Sequence, residues 1–123
     1  MPIHTSVKRS GAGATVGAIS VDLVQVPYTG LTAALMFQAS CIGVDRAAPS
    51  NTVTYISGQG GGINLGIITL LPGLFGGVQK SLSLLLSNVS VSVSGGFLTL
   101  TCTGVAGRTI DWAAEVNVLA IEP

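Results

Sequence analysis

The chain has 123 residues and a formal net charge of zero, five Lys/Arg against five Asp/Glu. Charged residues make up 8% of it and hydrophobic residues 48%, where an average soluble domain is roughly 25% charged. That balance excludes a basic nucleic-acid-binding surface and a charged disordered tail, and two cysteines are too few for a disulfide framework.

Residues 1–14 are Gly/Ser-rich, carry Lys8 and Arg9, and are expected to be a docking arm that orders against a partner. They lack the apolar core of a signal peptide, so synthesis in a reducing cytoplasm is expected, with Cys41 and Cys102 as thiols. Residues 15–123 read as one domain. Between Thr15 and Val26, Ile19, Val21 and Leu23 fall on one face and Ser20 and Asp22 on the other. Leu35, Phe37, Ala39 and Cys41 share a face, and Thr52 to Ser57 is rich in β-formers.

Ile63, Leu65 and Ile67 alternate with Asn64 and Gly66. Ile63 to Val78 is the most membrane-like stretch, yet it is shorter than the ~20 residues a helical span needs and contains Asn64 and Pro72, so no membrane span is expected. Ser81 to Asn88 fits either a strand or a helical turn. Val89, Val91 and Val93 then alternate with Ser90, Ser92 and Ser94, and Leu98, Leu100 and Cys102 with Thr99, Thr101 and Thr103. Last, Ile110, Trp112, Ala114, Val116 and Val118 face one way, while Asp111, Glu115 and Asn117 face the other.

Gly95 and Gly96 supply a tight hairpin turn, and Gly104 and Gly107 are expected to let the chain reverse between Cys102 and Ile110. Short strands separated by turns at this spacing predict an all-β fold, an antiparallel β-sandwich or jelly-roll-like domain. Ile110, Trp112, Ala114 and Val116 are expected in its core or at a subunit interface, the small Ala114 leaving room for the indole.

Chemistry is thinly supplied. His4 is the one histidine and lies near the terminus, a poor place to hold an imidazole between two partners. Cys41 and Cys102 lack close-spaced companions for zinc and read as buried thiols. Asp111 and Glu115 share a strand face and are the only carboxylate pair at short spacing, best read as a solvated or interface-lining face beside Arg108. Gly58 to Gly62 has the glycine density of a phosphate-cradling loop but lacks the Lys-Ser/Thr that completes one. No catalytic residue, cofactor or metal is expected. Because no formal charge occurs between Arg46 and Lys80, or between Lys80 and Arg108, much of the exterior is expected to be covered by neighbours in an assembly.

The run Val93 to Val116, with its Thr103-Gly104-x-Ala106-x-x-Thr109-Ile110-x-Trp112 core, resembles a β-module that recurs in tailed-bacteriophage virion proteins, commonly at the C-terminal end of tail fibres. The resemblance extends more loosely over residues 35–121. It implies a non-enzymatic virion structural protein, a homotrimer made in the host cytoplasm and partnered by the major capsid protein or tail proteins. With no shaft or capsid-anchoring domain ahead of the module, the expected role is capsid decoration. The alternative is a tail-tip or tail-fibre component in host attachment, and a carbohydrate-binding module for a host-surface glycan is the reading from another class.

Overall fold

The computed structural model describes residues 3–28, 34–57, 60–62, 76–94 and 96–122. It is all-β, two antiparallel sheets packed as a sandwich. The larger sheet runs in the order β1 (Ile3–Val16), β9 (Thr109–Glu122), β3 (Ala34–Asp45), β4 (Thr52–Ser57), β6 (Gly76–Lys80), with the short β5 (Gly60–Gly62) also paired to β3. The smaller sheet is β2 (Ser20–Pro27), β8 (Phe97–Thr103), β7 (Asn88–Ser94).

Alternation in the sequence becomes burial in the sandwich. Leu98, Leu100 and Cys102 of β8 and Val89 of β7 meet Phe37, Ala39 and Cys41 of β3 and the Ile110–Val118 face of β9 in one core. Each large aliphatic side chain removed from water there contributes roughly 1.5–3 kcal/mol, and the seryl and threonyl partners are left facing outward. The β7–β8 hairpin closes from Ser94 to Phe97 over a two-residue turn in which Gly96 takes φ +85°. Gly95 lies outside the described residues, as do Ile63, Leu65 and Ile67 and the Gly58–Gln59 part of the glycine run.

Two elements differ from expectation, and a third, left open by the sequence, is decided. Residues 3–16 are not a separate arm: they form β1, paired with β9 of the same chain from Ile3↔Glu122 to Val16↔Thr109. Its inward positions include Gly11 and Gly13 where a core strand would carry large apolar residues, because β2 crosses close beneath. A Cβ on Gly11 would run into the Leu23 carbonyl.

β2 changes phase. Its register with β8 shifts between Asp22 and Val24, a bulge that turns Val24 and Val26 into the core and leaves Ile19 exposed. Ser81–Asn88 is a 3-10 turn at Leu82–Leu84, anchored by buried Leu84 and tied by Lys80 Nζ donating to the Leu85 and Ser87 carbonyls.

Candidate functional site

Asp45, Arg46, Arg108 and Asp111 gather at one end of the sandwich, where the chain passes twice between the sheets. Residues 17–19 lead from β1 to β2, and 104–108 lead from β8 to β9. The two crossings are stitched together: Gly17 N–H donates to the Arg108 carbonyl and Gly104 N–H to the Ile19 carbonyl, both at 2.9 Å. Gly107 turns the chain at φ +76°. Gly104 serves differently from the reversal expected of it, since it keeps an ordinary φ and is small because a Cβ would strike the Thr15 side chain and the Gly17 carbonyl.

The β3–β4 loop folds onto the same corner, with Arg46 N–H donating to the Thr109 carbonyl at 2.9 Å. Two ion pairs brace it. Asp45 is fully buried, and its carboxylate accepts from Arg108 Nη1 at 2.6 Å and from the Ala47 N–H at 3.0 Å. Arg46 forks onto Asp111, donating from Nε at 3.1 Å and Nη2 at 2.6 Å.

Burial alone would push the Asp45 carboxyl up. The Arg108 hydrogen bond, the amides of Ala47 and Ala48 and the Arg108 charge outweigh it, so Asp45 titrates below the ordinary carboxylate range. Asp111 is also lowered, chiefly by its hydrogen bonds from Arg46.

Asp45, Arg46, Ala47, Gly107, Arg108 and Thr109 line an open recess of about 470 Å³. Its carboxylates and guanidinium groups bond to one another, which makes it a brace between loops.

The other sequence candidates are dispersed. Glu115 pairs with Lys8 at 3.1 Å, and Asp22 accepts from Thr101 Oγ1 at 2.9 Å. Asp111 and Glu115 lie four residues apart on one strand, about 13 Å by strand rise. The paired carboxylates of glycoside hydrolases stand roughly 5–9.5 Å apart, so this pair lacks the spacing as well as the freedom for acid–base work. His4 is exposed on β1, opposite Ile121. No three His, Cys, Asp or Glu residues come together as a metal site among the described residues. Nor is any helix among them long and apolar enough to cross a membrane.

Ile110, Trp112, Ala114 and Val116 lie inside this chain, with Trp112 only 2% exposed. The indole N–H donates to Thr15 Oγ1 at 3.0 Å. Room for the ring comes from Gly43, its direct partner on β3, more than from Ala114: a Cβ on Gly43 would stand 2.6 Å from Trp112 Cε3 and Cζ3.

Sequence reasoning missed the opposite face of the larger sheet. Met36 and Ile42 of β3, Ile56 of β4 and Leu119 and Ile121 of β9 all point outward, exposed by 43–70%. In register, Ala12, Ala113, Ile42 and Thr54 form one row and Ser6, Leu119 and Met36 another. The signal was present as apolar residues at the out-of-phase positions of β3 and β9. The charged side chains described on this face, Lys8, Asp111 and Glu115, are all ion-paired.

No family model matches this chain. No curated protein matches it either. Among solved structures it is similar to the tailspike protein of Acinetobacter baumannii phage AM24, at 7% identity and a TM-score of 0.37, over 97% of this chain and 26% of that one. The chain thus spans about a quarter of that protein's length. Likeness at this level carries no functional weight.

Proposed function

We propose that the chain is a non-catalytic structural subunit of a bacteriophage virion, docked on neighbouring particle proteins through the outer face of its larger sheet. The observation that carries this reading is that face: exposed Met36, Leu119 and Ile121 toward one end and Ile42 and Ile56 elsewhere on it. Polar Gln38, Asn117, Ser40 and Ser10 lie between the Met36–Leu119 and Ile42–Ala113 rows, and its described charges are neutralised in pairs. An apolar, neutral surface of this kind is a liability on a free monomer and an asset in an assembly. Homotrimerisation through the same face is part of the proposal.

Two positions on the particle use it. The Val93–Val116 resemblance to tail-fibre modules supports a tail-tip or tail-fibre component in host attachment. The breadth of the neutral face supports capsid decoration, where a flat module lies against the major capsid protein. A carbohydrate-binding role has less behind it. Trp112 is buried, and Tyr28 and Tyr55 pack against the core instead of presenting a stacking platform.

The test is to purify particles by density gradient and label this chain with gold-conjugated antibody. Gold on tails supports the attachment role, and gold over the head supports decoration. Absence of the chain from purified particles would sink both.

A further inference from the structure

The two sulfurs take no part in the function proposed above. Cys41 lies on β3 of the larger sheet and Cys102 on β8 of the smaller, 61 positions apart in sequence. Both side chains point into the core, 2% and 0% exposed, as free thiols. Their Sγ atoms are 3.5 Å apart. The two sheets therefore touch sulfur to sulfur, and a bond of ~2.0 Å requires the two atoms to approach by about 1.5 Å. On the inner face Cys41 stands beside Ala39, Gly43, Ala114 and Tyr55.

We propose that Cys41 and Cys102 are an oxidation site that closes into an inter-sheet disulfide when the chain meets hydrogen peroxide. One of the two thiolates attacks the peroxide O–O bond, taking one oxygen as a sulfenic acid, and the departing hydroxide takes up the proton released from that thiol to leave as water. The other sulfur then attacks the sulfenic sulfur. The S–O bond breaks, and the hydroxide expelled leaves as a second water with the proton of the second thiol. Two thiols and one peroxide thus give one disulfide and two waters.

Either sulfur can donate to the other across this contact, so the bond favours ionisation of one thiol while its partner keeps the proton, and the sulfur that ionises is the one that attacks. The product ties two layers that the backbone joins only through its crossings. It also closes a long loop, which restricts the unfolded chain.

The experiment uses the full chain, purified under reductant, desalted and treated with stoichiometric hydrogen peroxide. The intact mass should fall by two hydrogens, and a peptide map should join the Cys41 and Cys102 peptides within one chain. Dithiothreitol should reverse the link, and the linked form should melt about 10 °C higher than the reduced form. Oxygen added to either cysteine without a linked peptide, a bond between chains, or a linked form that melts no higher would overturn the proposal. A Cys41→Ser, Cys102→Ser double variant treated in parallel should keep its melting midpoint; a comparable rise there would assign the effect elsewhere.

Discussion

Trp112 on β9 and Thr15 on β1 are joined by a buried hydrogen bond, indole Nε1–H to hydroxyl at 3.0 Å, beside the stitched crossings of the chain. The ring fills the space above Gly43 and the N–H is satisfied without water, so packing and polarity can be separated by mutation. Trp112→Phe keeps most of the ring and should cost about 1–3 kcal/mol, as the lost donor leaves Thr15 Oγ1 without that partner. Trp112→Ala empties the site and should cost about 3–5 kcal/mol, enough to unfold much of a domain of ordinary stability. Urea unfolding of both variants, with Thr15→Val as the partner deletion, measures the difference.

Gly43 and Trp112 should behave as a coupled pair. Gly43→Ala puts a methyl group against the indole, an overpacking that should cost about 1–3 kcal/mol. Combined with Trp112→Leu, which vacates that side of the ring, the same Gly43→Ala change should cost much less. A double-mutant cycle reads the interaction directly, and additive costs would contradict the contact.

The stitched corner gives the protein an acid limb. Asp45 and Asp111 both titrate below the ordinary carboxylate value when folded, by their bonds to Arg108 and Arg46. Their contribution is therefore complete above the unfolded value of about 4, and it is lost as pH falls through the lower folded values. Melting midpoints should be level from pH 7 to about 5 and drop below about 4. Asp45→Asn should lower the neutral-pH midpoint more than Asp111→Asn, because Asp45 is buried while the Arg46–Asp111 pair is half open to solvent. Salt should weaken the Arg46–Asp111 pair more than the Asp45–Arg108 pair.

Charge placed on the outer face should separate assembly from folding. Ile42→Lys and Leu119→Lys alter exposed side chains and should change stability by no more than about 0.5 kcal/mol. By sedimentation the parent chain should run as a trimer and the double variant as a monomer with an unshifted melting midpoint. A parent that sediments as a monomer at micromolar concentration contradicts the proposed trimer.

How far the fold was readable depended on where side-chain identity follows burial. β3, β7, β8 and β9 announce themselves because large and small, apolar and polar residues alternate as each strand puts one face inward. β1 was hidden because its inner positions include Gly11, required by the approach of the Leu23 carbonyl on β2, and Gly13, which faces the Leu23 side chain, and no periodicity records such contacts. The bulge between Asp22 and Val24 defeated a strict period of two in β2. At the corner, Asp45 finds Arg108 across 63 positions; the spacing on either strand gives no hint of a partner brought by two loops. Cys41 and Cys102 were readable as core-facing but not as neighbours, since register within each sheet says nothing of alignment between sheets.

The pairing of Ile3 with Glu122 puts the two ends of the described chain side by side on one ladder. Tension applied between those ends would peel β1 from β9 one pair at a time instead of shearing all fourteen pairs together. Such a module yields readily as a link in series under load.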